Sequence, residues 1–169
     1  MDIAKDEVPL SGGRITQGVV RVGDTVRRPV TARSAFVAEL LNYLQQRGFN
    51  GAPRYLGLDD TGRDTFTYVP SRVPARFQLW SDDQVVAAGT LLRSFHEATR
   101  GSRLAATHPV VCHHDPGPNN AVLHQGRPMA FTDFDTAAPG DPLEDLGYLL
   151  CKRNMCPSVL CPNVLRRSD

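Results

Sequence analysis

The sequence predicts an α+β protein, strand-rich and antiparallel in its first third and mainly helical with short hairpins after that. Three observations carry this. Two stretches within residues 8–28 and 55–69 are built of β-formers separated by turn signals. Two later segments, starting at Ser34 and Ser81, repeat apolar residues at helical spacing between a capping serine and a terminal glycine. A further hairpin pattern occupies residues 121–123 and 129–132.

The first strands are residues 8–10, 17–22 and Thr25–Arg28, joined by the turn signals Ser11-Gly12-Gly13-Arg14 and Gly23-Asp24. Pro29 ends that ladder because it has no N–H to donate. Ser34 is placed to cap the next helix, and Gly48 sits where a left-handed terminal residue is favoured. Phe36, Val37, Leu40, Leu41 and Leu44 share one face of it. Tyr55–Leu58 and residues 65–69 flank the turn Asp59-Asp60-Thr61-Gly62. Pro70-Ser71-Arg72-Val73-Pro74, bracketed by prolines, reads as a linker. Ser81 with Gln84 forms a capping box, Ala88, Leu91, Leu92 and Phe95 form a buried stripe, and Gly101 marks the helix end. Val110–Cys112 is a short apolar strand, Gln125-Gly126-Arg127-Pro128 turns the second hairpin, and residues 143–150 begin a third helix.

Composition narrows the function classes. The 169 residues carry a net charge of +1, so no bulk field selects nucleic acid or an anionic membrane. No apolar stretch approaches the length of a membrane span. The opening Met1-Asp2-Ile3-Ala4-Lys5-Asp6 has mixed charge and lacks the apolar core of a secretory signal, which sets a cytoplasmic location as the expectation. Cys112 stands apart from Cys151, Cys156 and Cys161, whose spacing of five does not fit common zinc patterns.

The chemistry concentrates in His113-His114-Asp115-Pro116-Gly117-Pro118-Asn119-Asn120 and in Thr132-Asp133-Phe134-Asp135. Asn120 and Asp133 lie at the two feet of the second hairpin, and a hairpin returns its ends to one another. The amide and the carboxylate can therefore converge on one point. Hard oxygen donors of that kind suit Mg²⁺. Asp115, one loop earlier, is placed to accept a proton from an attacking hydroxyl. Phosphoryl transfer needs little beyond such positioning and charge neutralisation.

The pattern H-x-D-x-x-x-x-N followed by D-F-D resembles the catalytic and metal-binding loops of the aminoglycoside phosphotransferases and, more loosely, of protein kinases. Pro139-Gly140-Asp141-Pro142-Leu143-Glu144-Asp145-Leu146-Gly147 extends the match. The resemblance covers roughly residues 8–150 and implies a protein-kinase-like two-lobed fold, with an antiparallel N-lobe sheet and a truncated, mainly helical C-lobe. It implies a nucleotide lobe over 1–70, a partial catalytic lobe over 71–150, and an atypical tail over 151–169. It also implies transfer of the γ-phosphoryl of ATP or GTP, with Mg²⁺, to a hydroxyl of a small molecule. On this resemblance Asp115 is the base and His113 braces its loop. Asn120 and Asp133 hold the metal, Asp145 supports the catalytic loop, and Asp135 is a secondary contact. Gly12 and Gly13 form the turn over the phosphates, and Tyr68 and Val69 belong to a hinge that contacts the base through its backbone.

Arg27 and Arg28 stand where protein kinases carry a lysine, and alternation along a strand lets only one face the nucleotide. The position before Arg28-Pro29 selects Arg27. The family pairs this cation with a glutamate on the following helix, a position that aligns with Val37. The helix's own glutamate, Glu39, lies about 130° from the centre of the apolar face and is the remaining candidate.

Two other readings stay open. His113, His114, Asp115, Asp133 and Asp135 supply ligands for a two-metal hydrolase. A non-catalytic remnant, or a pseudokinase that only binds nucleotide, is the third. The tail carries Pro157 and Pro162, three of the four cysteines, and four basic residues against one acid. It reads as the product of a shifted or shortened reading frame.

Overall fold

The computed structural model describes residues 7–10, 18–70 and 79–153. The turn with Gly12 and Gly13, the linker after Pro70 and the tail beyond Arg153 lie outside the described residues. Strands β1 (Glu7–Pro9), β2 (Val20–Val22), β3 (Thr25–Arg28), β4 (Tyr55–Leu58) and β5 (Asp64–Thr67) form one sheet in the order β1-β2-β3-β5-β4. Every neighbouring pair in it is antiparallel. The β2–β3 hairpin pairs Val22 with Thr25, and Gly23 supplies a φ of 60° to the two-residue turn. Strand β5 starts at Asp64 and stops at Thr67, so Tyr68 and Val69 follow the strand instead of ending it. The Tyr68 N–H is bonded to the carbonyl of Asp24 at 2.8 Å.

Helix α1 (Ser34–Gln46) packs on this sheet through Val37, Leu40, Leu41 and Leu44, all buried with Phe66. Burying each such side chain is worth roughly 1.5–3 kcal/mol. Its start differs from the expected cap. Arg33 is the N-cap and makes no side-chain cap bond. The Ser34 hydroxyl instead accepts the Thr31 N–H and donates to Asp64 of β5. The carboxylate accepts the hydroxyl's proton in a hydrogen bond and fixes its orientation, and the Thr31 N–H, not a helix N–H, uses its lone pair. The other end is as expected. Gly48 has φ 74°, its N–H bonds Gln45, and the Phe49 N–H bonds Leu44, closing a Schellman motif.

The second part begins with α2 (Asp82–Thr99), where the Ser81 capping box has both of its bonds. A short 3₁₀ turn (Arg103–Ala105) leads to β6 (Val110–Cys112). A 3₁₀ turn over Pro118–Asn120 feeds the hairpin β7 (Ala121–His124) and β8 (Arg127–Phe131). Gln125 and Gly126, at φ 49° and 77°, make its two-residue turn, so Arg127 and Pro128 already belong to β8. A 3₁₀ turn over Phe134–Thr136 precedes β9 (Ala138–Gly140), which pairs antiparallel with β6. Nothing in the local pattern announces β9, which contains a proline and a glycine. Gly140 keeps the approach of the two strands open, since a Cβ would stand a tight 3.0 Å from the Cys112 sulfur. Helix α3 (Pro142–Arg153) is the last of the described elements.

One hydrophobic cluster runs through both parts. Leu41, Leu44 and Phe66 from the sheet side join Phe95, Val111, Phe131, Phe134 and Leu149. The loop after α1 is tied to the hairpin, as Phe131 N–H bonds the Gly51 carbonyl at 2.9 Å. The sheet and the hairpin loops are thus packed against one another through shared side chains. Replacing Ser81 with alanine removes one half of the α2 cap and is expected to cost about 1 kcal/mol in urea denaturation.

Candidate active site

Strand β6 is buried along its whole length and delivers the chain to His113, after which His114 turns it in a left-handed conformation (φ 63°). The backbone of this turn is held by one carboxylate of α3. Asp145, fully buried, accepts the His113 N–H at 2.8 Å and the His114 N–H at 2.7 Å. It also takes the His96 ring nitrogen of α2 at 2.8 Å. Burial alone would raise the Asp145 pKa. The bonds from His96, His113 and His114 outweigh it and hold the acid below its ordinary value.

His113 is itself fully buried, with Phe131 and Phe134 at ring-centroid distances of 5.6 and 4.6 Å. Its Nδ1 accepts the Asp115 N–H at 3.3 Å, so its Nε2 is the N–H that donates to the Thr132 carbonyl at 3.0 Å. Burial lowers its pKa, which keeps the ring neutral. The imidazole thus links the Asp115 loop to the strand that leads to Asp133.

Asp115 is oriented from one side. Asn120 Nδ2 donates to Asp115 Oδ2 at 2.8 Å and to the Asp115 carbonyl at 3.0 Å. Both acceptors are oxygens, which forces the amide nitrogen toward them and turns Asn120 Oδ1 the other way. Asp115 Oδ1 is buried and takes no hydrogen bond among the described residues. The Tyr148 hydroxyl of α3 lies beside the same carboxylate; burial and its hydrogen bond to Asp115 raise the phenol's pKa. Tyr148 was not among the residues the sequence singled out, because it is placed by the packing of α3.

The hairpin does bring its feet together: the Thr132 N–H bonds the Asn120 carbonyl at 2.8 Å. Asp133 follows at once, half-buried and left-handed (φ 61°, ψ 63°). Its pKa is raised, first by burial and then by the charge of Asp135, with Asp115 adding to it and Arg28 opposing. Asp115 and Asp135 are thus near enough to Asp133 to act on its charge, and that repulsion favours a cation.

The two arginines of β3 part company, as alternation requires. Arg27 turns to the β4–β5 turn and pairs with Asp59 at 3.4 Å. Arg28 is the buried one. Its Nη1 lies 2.6 Å from Asp135, its Nε 3.9 Å from Asp64, and its guanidinium stacks 4.9 Å from the Phe66 ring centroid. The cation that meets the acidic cluster is thus Arg28, whereas position in the sequence had selected Arg27. Arg33 adds a second link from the same side, donating to the carbonyls of Asp135 and Ala137. Glu39 is not part of this group. It pairs with Arg103, beyond the end of α2, and Val37 is buried in the core. Val69 is half-buried just after Tyr68, whose N–H is already bonded to Asp24.

The ligand set of a two-metal hydrolase is not available in this arrangement. Both His113 ring nitrogens are bonded, and His114 bonds the Thr136 carbonyl at 3.1 Å and Glu144 at 3.0 Å. His96, Cys112 and Asp145 also lie close enough together to ligate a metal. Their atoms are already engaged, the Cys112 thiol with the Asp141 carbonyl at 3.1 Å. Burial, reinforced by the nearby acids, also drives the thiol's pKa up, so it stays protonated. Among the described residues no helix is long and apolar enough to cross a membrane.

Comparison with known proteins agrees with this fold. Residues 98–166 match the model of the APH family, described as the phosphotransferase enzyme family. The trifolitoxin immunity protein of Rhizobium leguminosarum bv. trifolii is 31% identical over 150 residues, which are 79% of this chain. The chain spans 57% of that relative's length. ADP-bound aminoglycoside phosphotransferase APH(2'')-Ib superimposes with a TM-score of 0.64 at 15% identity, covering 88% of this chain and 71% of that one. A choline/ethanolamine kinase family protein from Mesorhizobium loti does so with a TM-score of 0.61 at 21% identity, covering 88% and 64%. The fold is the kinase-like fold of small-molecule phosphotransferases. Within that class, the chain resembles the APH phosphotransferase family in sequence and in structure.

Asp145→Asn removes the charge and turns a donor toward N–H groups that need an acceptor. It is expected to cost about 3 kcal/mol or more in urea unfolding at neutral pH. Because the folded pKa of Asp145 is depressed, its contribution is complete above the unfolded value of about 3.9 and is lost as pH falls through the folded value. The gap between variant and wild type should therefore narrow in that acid range. A gap independent of pH would show that the charge is not what holds the loop.

Proposed function

We propose that this chain transfers the γ-phosphoryl group of ATP or GTP to a hydroxyl of a small molecule. The observation that carries the reading is the state of Asp115. One carboxylate oxygen is fixed by Asn120, and the carboxylate keeps further lone pairs beside the Tyr148 hydroxyl. A proton acceptor needs that arrangement: an orientation set by the protein and a lone pair left for the acceptor hydroxyl. The loop that carries it is immobilised through Asp145 and His113, which supports the positioning on which such catalysis depends.

Magnesium fits the oxygen donors at the hairpin's feet. Asn120 Oδ1 and the Asp133 carboxylate would hold it, and Asp135 is a further candidate. The three acids of the cluster outnumber the one arginine that reaches them, so the charge balance favours a divalent cation. When bound, the metal neutralises charge on the phosphate oxygens. We read Arg28, not Arg27, as the cation facing the triphosphate. Val69 in the segment after β5 is the residue left to meet the base through its backbone, with residues 1–70 as the nucleotide lobe and 71–150 as the catalytic part.

The acceptor is a small molecule with a hydroxyl. The relatives are an immunity protein and kinases for different compounds, so the assay panel should include aminoglycosides, choline and toxic hydroxyl-bearing molecules. ADP release by the purified chain with Mg²⁺-ATP is the test. Asp115→Ala should lower turnover by roughly 10²–10⁴-fold while leaving nucleotide affinity close to wild type. Asp133→Ala or chelation of the metal should abolish turnover. Equal turnover in Asp115→Ala and wild type would remove the assigned role, and ATP binding without turnover of any acceptor would identify a nucleotide-binding module instead.

A further inference from the structure

We propose that Asp64, on strand β5, is the positioning residue that holds Arg28 in orientation for a nucleotide phosphate. The proposal rests on the reading of Arg28 given above and goes beyond it, because it concerns what keeps that side chain in place. Buried arginine needs a counter-charge. The fold resemblance places this counter-charge on the helix after β3, and here that helix does not supply one. Val37 is apolar and buried, and Glu39 is drawn away to Arg103.

Asp64 is placed to supply it. It is the cross-strand partner of Arg28 in the β3–β5 register, so the two side chains emerge on the same face of the sheet. It is 1% exposed. A carboxylate so deeply buried is stable only with donors around it, and two hydroxyls serve. Ser34, the first residue of α1, donates to Oδ2, and Tyr55 of β4 donates to Oδ1 at 3.3 Å. Asp64 is therefore fixed from the helix and from the neighbouring strand. Its remaining direction faces the Arg28 Nε, 3.9 Å away.

Arg28 is then bounded on three sides. Asp64 stands by Nε, Asp135 takes Nη1, and Phe66 lies under the guanidinium plane. Its Nε and Nη2 are buried and make no hydrogen bond among the described residues. A planar guanidinium presents donors in a fixed fork. Nη2, the donor that neither acid faces, is the one suited to a phosphate oxygen. Asp64 sets the tilt of that fork without needing to touch the nucleotide.

The test is ATP affinity in the presence of Mg²⁺, measured by titration calorimetry for wild type, Arg28→Met, Asp64→Asn and the double variant. Arg28→Met and Asp64→Asn should each weaken ATP binding about tenfold or more, the size of a lost charge-assisted contact. The double variant should be no weaker than Arg28→Met alone, since Asp64 acts only through Arg28. Tyr55→Phe keeps the charge and loosens only its anchor. It should weaken ATP binding about threefold, and it decides the matter if Asp64→Asn does not fold. Wild-type affinity in Asp64→Asn and Tyr55→Phe, with weakened binding in Arg28→Met, would overturn the proposal and leave Asp64 a knot in the sheet. Additive losses in the double variant would overturn it too. If Arg28→Met binds like wild type, or if the wild type binds no ATP, the reading of Arg28 or of the nucleotide site has failed first.

Discussion

A single buried carboxylate underlies the geometry of the site. Asp145 lies on α3, yet its oxygens are taken by two consecutive backbone N–H groups of the His113 turn and by the His96 ring of α2. Three segments distant in sequence are thereby joined at one point that excludes water. A turn with a left-handed non-glycine residue, such as His114, is costly by itself. The acceptor behind it makes the strained conformation the stable one. From there the order propagates outward through His113 to Asp115 and to Thr132, and so to Asp133 on the far side of the hairpin.

The second constraint is electrostatic. Asp133 lies near Asp115 and Asp135, and burial, with the charge of Asp135, makes its own charge harder to keep. The sheet answers with Arg28, and the start of α1 answers with Arg33, whose bonds to the carbonyls of Asp135 and Ala137 hold the backbone of the same turn. The contact between the two parts of the molecule is thus polar at its edge and apolar at its centre, where Phe66, Phe95 and Phe134 belong to one cluster. Such an arrangement keeps the acids close without neutralising all of them, which leaves room for a divalent cation and a triphosphate in the proposed reaction.

The fold alone does not name the acceptor. The same architecture serves an aminoglycoside phosphotransferase and a choline/ethanolamine kinase family protein, which differ in what their names say they modify. What this chain shares with them is the fold. In the proposed reading, an arginine of β3 answered by a strand aspartate takes the place that the resemblance gives to a lysine answered by a helix glutamate.

Part of the geometry was legible in the sequence, because spacing along a hairpin is a local matter. The return of the chain from Asn120 to Thr132 follows from the β7–β8 turn, and the helices α1 and α2 from apolar periodicity. Gly48 and Ser81 announced their caps for the same reason, since a helix end is satisfied by its neighbours in the chain. What needed tertiary structure was every choice between equivalent local options. Arg27 and Arg28 differ by one step of a strand, and only the side on which α1 and the Asp135 turn pack decides which is buried. Ser34 could cap a helix or serve Asp64, and only the pairing of β3 with β5 put Asp64 within reach. β9 exists because Val110–Cys112 offers it an edge, and Tyr148 meets Asp115 because α3 lies across the loop. Local chemistry determines which groups a chain owns; the partner each group takes, when several would do, is decided by what long-range packing brings beside it.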